Sequence, residues 1–154
     1  MPFQGEVVSI HIAPEAGTAL HPIDEAQVTA TGITGDRYAS GGGKFSENGG
    51  PGRAVTLVEI EALDALAREQ GIELDPGALR RNVVTRDVPL NHLVGREFSI
   101  GDVVLRGVRL AEPCAYLAKQ TTPEVLKALA HRAGLRADVV QEGAIKVGDR
   151  IVAR

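Results

Sequence analysis

The sequence predicts a strand-rich, mixed α/β fold, and three observations predict it. Short β-branched runs recur along the chain, punctuated by glycine and proline, which number 18 and 8 among 154 residues. Helical periodicity is confined to a few segments and is clearest over residues 59–70. No repeat, linker or shift in composition divides the chain, so strands and helices alternate within one expected domain, residues 1–154.

Residues 6–12 form the first strand, closed by Pro14 and Gly17, and residues 26–30 a second. From 39 to 52 the chain holds six glycines with Pro51 among them, a stretch that sustains neither helix nor interior strand. Residues 53–58 are a strand that runs into the helix of 59–70. Ile60, Leu63, Leu66 and Ala67 make its apolar stripe, Glu59 and Glu61 suit its first turn, and Gly71 stops it. Asp75-Pro76-Gly77 turns into a strand over 79–85. A turn at Gly95 precedes a short strand ending at Ile100, and Gly101-Asp102 is a hairpin signal leading to the strand of 103–110. Thr122-Pro123 reads as an N-cap followed by proline at the first helical position. The helix it predicts carries Val125, Leu126 and Leu129, with His131 and Arg132 in its last turn and Gly134 at its end. Residues 135–141 and 144–152 give the closing strands, with turns at Glu142-Gly143 and Gly148-Asp149.

The charge balance narrows the function. With a net charge of −3, 3% aromatic residues and no tryptophan, the chain lacks both the cationic surface and the stacking platforms of a nucleic-acid binder. It shows no signal peptide and no membrane-length apolar run, so a soluble cytoplasmic protein is expected, without nucleic-acid or membrane partners. The single cysteine excludes an internal disulfide and agrees with a reducing compartment.

That cysteine, Cys114, is the candidate centre. It follows Pro113 at the end of the predicted strand of 103–110, where proline ends the ladder and the thiol can face whatever lies beyond the sheet. A lone cysteine is otherwise most often a small buried hydrophobe. His131 and His92 are the candidate partners for a nucleophilic thiol, while His11 reads as a solvent-facing or hydrogen-bonded strand residue. No His-Glu-x-x-His, cysteine pair or Gly-x-Ser-x-Gly is present, which removes sequence support for zinc or a serine nucleophile. Gly43-Lys44 does not make a triphosphate loop, because Phe45 and Tyr38 stand where Ser/Thr and the first glycine belong. The glycine stretch still suits a lid or an anion cradle. The adjacent pair Arg80-Arg81 at a strand start is usually a solvated edge, but followed by Asn82 it also suits an anionic or amide-bearing ligand, since a guanidinium fork grips phosphate bidentately.

The motifs stand in a telling order: Gly35-Asp36, Arg53-x-Val55-Thr56-Leu57, Arg81-Asn82-Val83, Gly95 to Ile100-Gly101, Pro113-Cys114, and Gly143, Ile145, Gly148-Asp149. Together they resemble the MOSC domain, found at the C-terminus of molybdenum-cofactor sulfurases and as stand-alone bacterial proteins. The resemblance runs from about Glu6 to the C-terminus, with Val83 in place of the more usual isoleucine. It implies a closed or half-closed β-barrel with a few flanking helices. It also implies that Cys114 carries sulfur or ligates molybdenum, and that Arg53, Arg81 and Asn82 hold the pterin and phosphate of the molybdenum cofactor (molybdopterin). Lys44, His131 and Arg132 extend that expected binding set. Lysine at position 53 or 81 would keep the charge and lose the fork, and is expected to weaken cofactor retention with little change in melting temperature.

Three functions follow from the resemblance and the residues. The first is a molybdenum-cofactor protein with Cys114 as metal ligand, acting in reduction of N-hydroxylated compounds or in cofactor handling, with an electron-transfer protein as partner. The second is a sulfur carrier in which Cys114 takes a persulfide from a separate cysteine desulfurase, since the chain carries no pyridoxal-phosphate module. The third is a barrel that binds a small-molecule ligand without catalysis.

Overall fold

The computed structural model describes residues 2–39 and 51–154, and its centre is a closed barrel of seven strands. The chain runs β1 (Gln4–Ile12), β2 (His21–Ile23), β3 (Glu25–Thr29), β4 (Gly32–Ile33), β5 (Val55–Glu59), α1 (Ile60–Gln70), β6 (Val83–Arg86), β7 (Glu97–Ile100), β8 (Val103–Leu110), α2 (Ala115–Gln120), α3 (Val125–Ala128), β9 (Leu135–Gln141), β10 (Gly143–Lys146) and β11 (Arg150–Ala153). Hydrogen-bonded neighbours follow the order β11-β7-β8-β9-β5-β6-β1, and β1 returns to β11 to close the ring. Strand β2 extends β1 beyond the barrel, while β10-β3-β4 make a small separate sheet.

β1 serves several partners because it bends. Gln4 to Glu6 pair with β11, Ile10 to Ile12 pair with β2, and the pairing with β6 shifts register between Val7 and Ser9. Such an irregularity kinks a strand and sharpens its twist, which is how a sheet turns back on itself. β5 and β6 run parallel, joined by the α1 crossover. Both are covered on two faces. Leu57 and Val83 point into the barrel with Ile10, Phe98, Leu105 and Leu135, while Val58 and Val84 pack outward under Leu63 and Leu66 of α1 with Leu117, Val125 and Leu129. Continuous apolar runs in these strands are what two-sided burial requires.

α1 ends as its sequence predicts. Gly71 takes the left-handed conformation, φ 68°, and donates its N–H to the Ala67 carbonyl at 3.0 Å. The strand expected over 79–85 starts only at Val83, because a short 3₁₀ turn at Pro76–Leu79 is followed by Arg80 with φ 63°, outside extended geometry. The expected helix after Pro123 is a single turn. Thr122 Oγ1 accepts the Glu124 N–H at 3.2 Å, yet the N-cap is Glu124 rather than Thr122 and Pro123 precedes the helix; Leu129 has left helical geometry and His131 has φ 64°, so the chain turns early into β9. The segment 144–152 divides at Gly148 between the small sheet and the barrel. Strands β2 and β4 and helix α2 were not evident from the sequence; each is too short to show a period.

One polar pin locks the end of the barrel near the cysteine. Asn82 is fully buried; its Oδ1 accepts the Thr56 N–H at 3.1 Å and its Nδ2 donates to the His11 carbonyl at 3.2 Å. It therefore ties the strands β5 and β1 to the start of β6 through groups that would otherwise be buried without partners.

Candidate functional site

β8 delivers Cys114. The Ala111 N–H still donates to the Gly134 carbonyl at 2.8 Å, then Pro113 interrupts the chain's bonding. Cys114 follows with extended backbone, φ −134° and ψ 172°, and α2 begins immediately after it. The thiol is free and half-buried. It shares a small cavity with four arginines, Arg37, Arg80, Arg81 and Arg136, and with Tyr38 and Glu112.

Each arginine is fixed by a different device. Arg37 forms a buried ion pair with Asp36 at 2.9 Å, and its guanidinium lies 4.4 Å from the centre of the Tyr38 ring. Asp36 is held in turn by the Ala13 N–H at 3.0 Å. Arg80 directs Nη1 to the Thr18 carbonyl at 2.6 Å, while its own carbonyl accepts Arg37 Nη2 at 3.3 Å. Arg81 spans the two segments that frame the cysteine, donating Nε to the Ala133 carbonyl at 2.8 Å and Nη2 to the Ala111 carbonyl at 2.9 Å. Arg136 comes from β9, in register with Arg109 of β8.

Crowding of like charges is legible in Arg81. Its pKa is lowered to about 10, first by burial and then by Arg136 and Arg37, against the opposing pull of Tyr38 and Cys114. It remains a cation near neutral pH, and an anion beside it would make charge-assisted hydrogen bonds. The basic surface continues outward. Arg109, opposite Arg136 on the neighbouring strand, has its pKa lowered by burial, then by Arg53 and Arg136, and donates Nη1 to the Pro51 carbonyl at 2.9 Å.

The residues singled out from the sequence fall in different places. Cys114 and Arg81 meet in the cavity; Arg53 lies on the outer part of the basic surface and does not line it. Asn82 has its side chain engaged by Thr56 and His11. His131 stands at the rim, where its backbone N–H and its Nδ1 meet the two carboxylate oxygens of the lining residue Glu112 at 2.6 and 2.5 Å. Arg132 bonds Glu69 at 2.6 Å and lines a separate surface cleft with Gln70 and Lys127. Lys44 and most of the glycine stretch lie outside the described residues. Arg80, read from the sequence only as the neighbour of Arg81 in an anion-binding pair, lines the cavity too, whereas Arg37, Arg136 and Glu112 were missed. Arg37, directly after the Gly35-Asp36 motif, carried a signal by adjacency; Arg136 carried none, since its place depends on strand pairing.

Among the described residues no three metal-ligating side chains gather, so a bare ion has no protein cage here. One soft thiol among guanidinium groups suits a different guest: an anionic cofactor that brings its own metal and most of that metal's donors. The cavity encloses only about 30 Å³, room for roughly one or two waters. A space of that size admits at most the end of such a group.

The comparisons agree with this architecture. The family model for the MOSC domain matches residues 44–152, and the chain belongs to that family. Among solved structures it is similar to the YuaD protein from Bacillus subtilis, with a TM-score of 0.84 and 17% identity, over 100% of this chain and 98% of that one. It is similar also to YiiM from Geobacillus stearothermophilus, with a TM-score of 0.77 and 18% identity over 97% of this chain and 75% of that one. YiiM from Escherichia coli gives 0.69 and 18% over 100% and 70%. At such identities the likeness is one of fold, here the barrel. No curated protein matches the sequence.

Proposed function

We propose that the protein binds the molybdenum cofactor at the Cys114 cavity, with the thiolate as the protein's ligand to the metal. One observation carries this reading: the chain's only cysteine opens into a cavity walled by four arginines. Arg81 and Arg136 would face the anionic groups of the cofactor, Arg37 and Arg80 would border them, and Arg53 and Arg109 would meet any phosphate extending outward. When bound, the cofactor would supply two-electron oxygen-atom chemistry, suited to reducing an N-hydroxylated compound to its N–H form and water. The electrons come from outside the chain, so an electron-transfer protein is the partner this reading requires.

The test is the metal and pterin content of protein purified from a host that makes the cofactor. Molybdenum and pterin should co-purify with the parent. Cys114→Ser should lose the molybdenum by at least tenfold while the barrel stays folded, since the exchange changes volume little. A parent free of molybdenum and pterin but carrying one extra sulfur atom on Cys114 would replace this reading with the persulfide carrier.

A further inference from the structure

The cavity that holds Cys114 has room for water, while a neighbouring groove of about 470 Å³ is of the size that takes a small organic molecule. Two features are common to both spaces. Arg80 lines each of them. So does one loop, residues 13–20, which gives Ala16 and Gly17 to the cavity and Ala19 and Leu20 to the groove.

This loop joins β1 to β2 and is closed at its base, where Ile12 pairs with His21. Its first residue is fastened: the Ala13 N–H donates to Asp36 Oδ1 at 3.0 Å, and the Ala13 carbonyl accepts the Arg37 N–H at 2.7 Å. Residues 14–19 beyond it are exposed and pair with no strand. Thr18 turns its own N–H and hydroxyl back to the Glu15 carbonyl. Among the described residues, one hydrogen bond ties residues 14–20 to the body of the protein: Arg80 Nη1 donates to the Thr18 carbonyl at 2.6 Å. The backbone of Arg80 is itself well anchored. At φ 63° its N–H donates to the Gly77 carbonyl at 3.0 Å, and its carbonyl accepts Arg37 Nη2 at 3.3 Å. The side chain thus reaches the loop from a fixed root. A surface loop with its ends together and one outside tie moves as a unit about its base when that tie breaks.

We infer that the loop of residues 13–20 is a gate over Cys114, latched by Arg80 on the Thr18 carbonyl. Closed, it limits the thiol to water-sized neighbours. Open, it removes the wall that cavity and groove share and lets a larger molecule reach the sulfur. An arriving anion favours the open state, because it offers the guanidinium a charged acceptor in place of a neutral carbonyl. The gate serves any molecule that comes to Cys114, so its failure would leave the cofactor reading standing.

The experiment compares the rates at which Cys114 reacts with N-ethylmaleimide and with the bulkier, equally uncharged N-(1-pyrenyl)maleimide. It uses the full chain from a host that cannot make the molybdenum cofactor. Dividing the ratio of the two rates by that of the same chain unfolded in urea cancels thiol reactivity and leaves access. In the parent the bulky reagent should lag by about tenfold or more on this measure, since it waits for the open state. Arg80→Gly removes the latch and accepts the left-handed backbone without strain. It should shorten the lag about tenfold, the shift that loss of a hydrogen bond from a charged group brings to an equilibrium. Should it not fold, Arg80→Asn, which also tolerates that conformation and stops short of Thr18, should do the same. Ile151→Val, a mild loosening of the barrel core, should keep the parent's lag. No lag in the parent, an unchanged lag in the Arg80 variant, or an equal shortening in Ile151→Val would each overturn the inference.

Discussion

Arg81 and Arg53 both precede strands of the barrel, yet the fold treats them differently. Arg81 is buried and spends two of its donors on backbone carbonyls beside the cysteine. Arg53 is only partly covered and joins Arg109 on the outer basic surface. The difference is one of solvent. A charge stripped of water interacts strongly with its neighbours, whereas one at the surface is screened by water and salt. The same sequence cue, an arginine at a strand start, thus yields a structural and electrostatic keystone in one place and a peripheral contact in the other.

Arg81→Met should produce the largest effect. It keeps much of the side chain's length but leaves the Ala111 and Ala133 carbonyls without their donor, a loss of about 2–6 kcal/mol in stability at roughly 1–3 kcal/mol per unsatisfied group. Urea unfolding measures it, and a midpoint equal to the parent's would mean the two bonds contribute nothing. The geometry also revises the sequence expectation for Arg81→Lys: an ammonium cannot reach both carbonyls in the same fork, so its melting temperature should fall as well.

Arg53→Lys should change stability by less than about 1 kcal/mol, since the side chain is only partly covered and the charge is kept. Its effect belongs to ligand binding, as a weaker retention of phosphate-bearing molecules and a steeper fall with salt. If Arg53→Lys destabilises the protein as much as Arg81→Lys, the contrast between buried and peripheral arginine fails.

The smallest effect is a pH dependence. His11 has a folded pKa below its unfolded value of about 6.5 because it is buried. The stability it contributes is present above that value and is lost as pH falls through the folded pKa. Glu59 works in the opposite sense: burial raises its pKa above about 4.5, so its contribution is present at lower pH and is lost as pH rises through the folded pKa. His11→Gln should therefore flatten the decline in unfolding midpoint between about pH 7.5 and 5.5. An unchanged slope would assign that decline to other groups.

Much of the scaffold was legible before any coordinates. The helix of 59–70 appears as Ile60–Gln70 with its glycine stop, and the strands of 103–110 and 135–141 have the predicted bounds. Local pattern suffices there, because each of these segments is long enough for a period or a stop signal to show. Proline before the cysteine marked the end of β8 for the same reason: a missing N–H acts on its own strand. The motif order reached further, to the family and its barrel.

What only the tertiary structure decided is the company Cys114 keeps. Arg136 reaches the cavity through the pairing of β9 with β5 and β8, where Thr56 and Arg109 stand opposite it, and a register shift between Gly107 and Arg109 sets that alignment. Arg37 arrives from a turn far earlier in the chain, anchored by Asp36 to Ala13. Periodicity records which face of one segment is buried, but not which distant segment covers it. Register and closure of the barrel are collective outcomes of many pairings, so the charge gathered around one thiol could be read only after the strands had met.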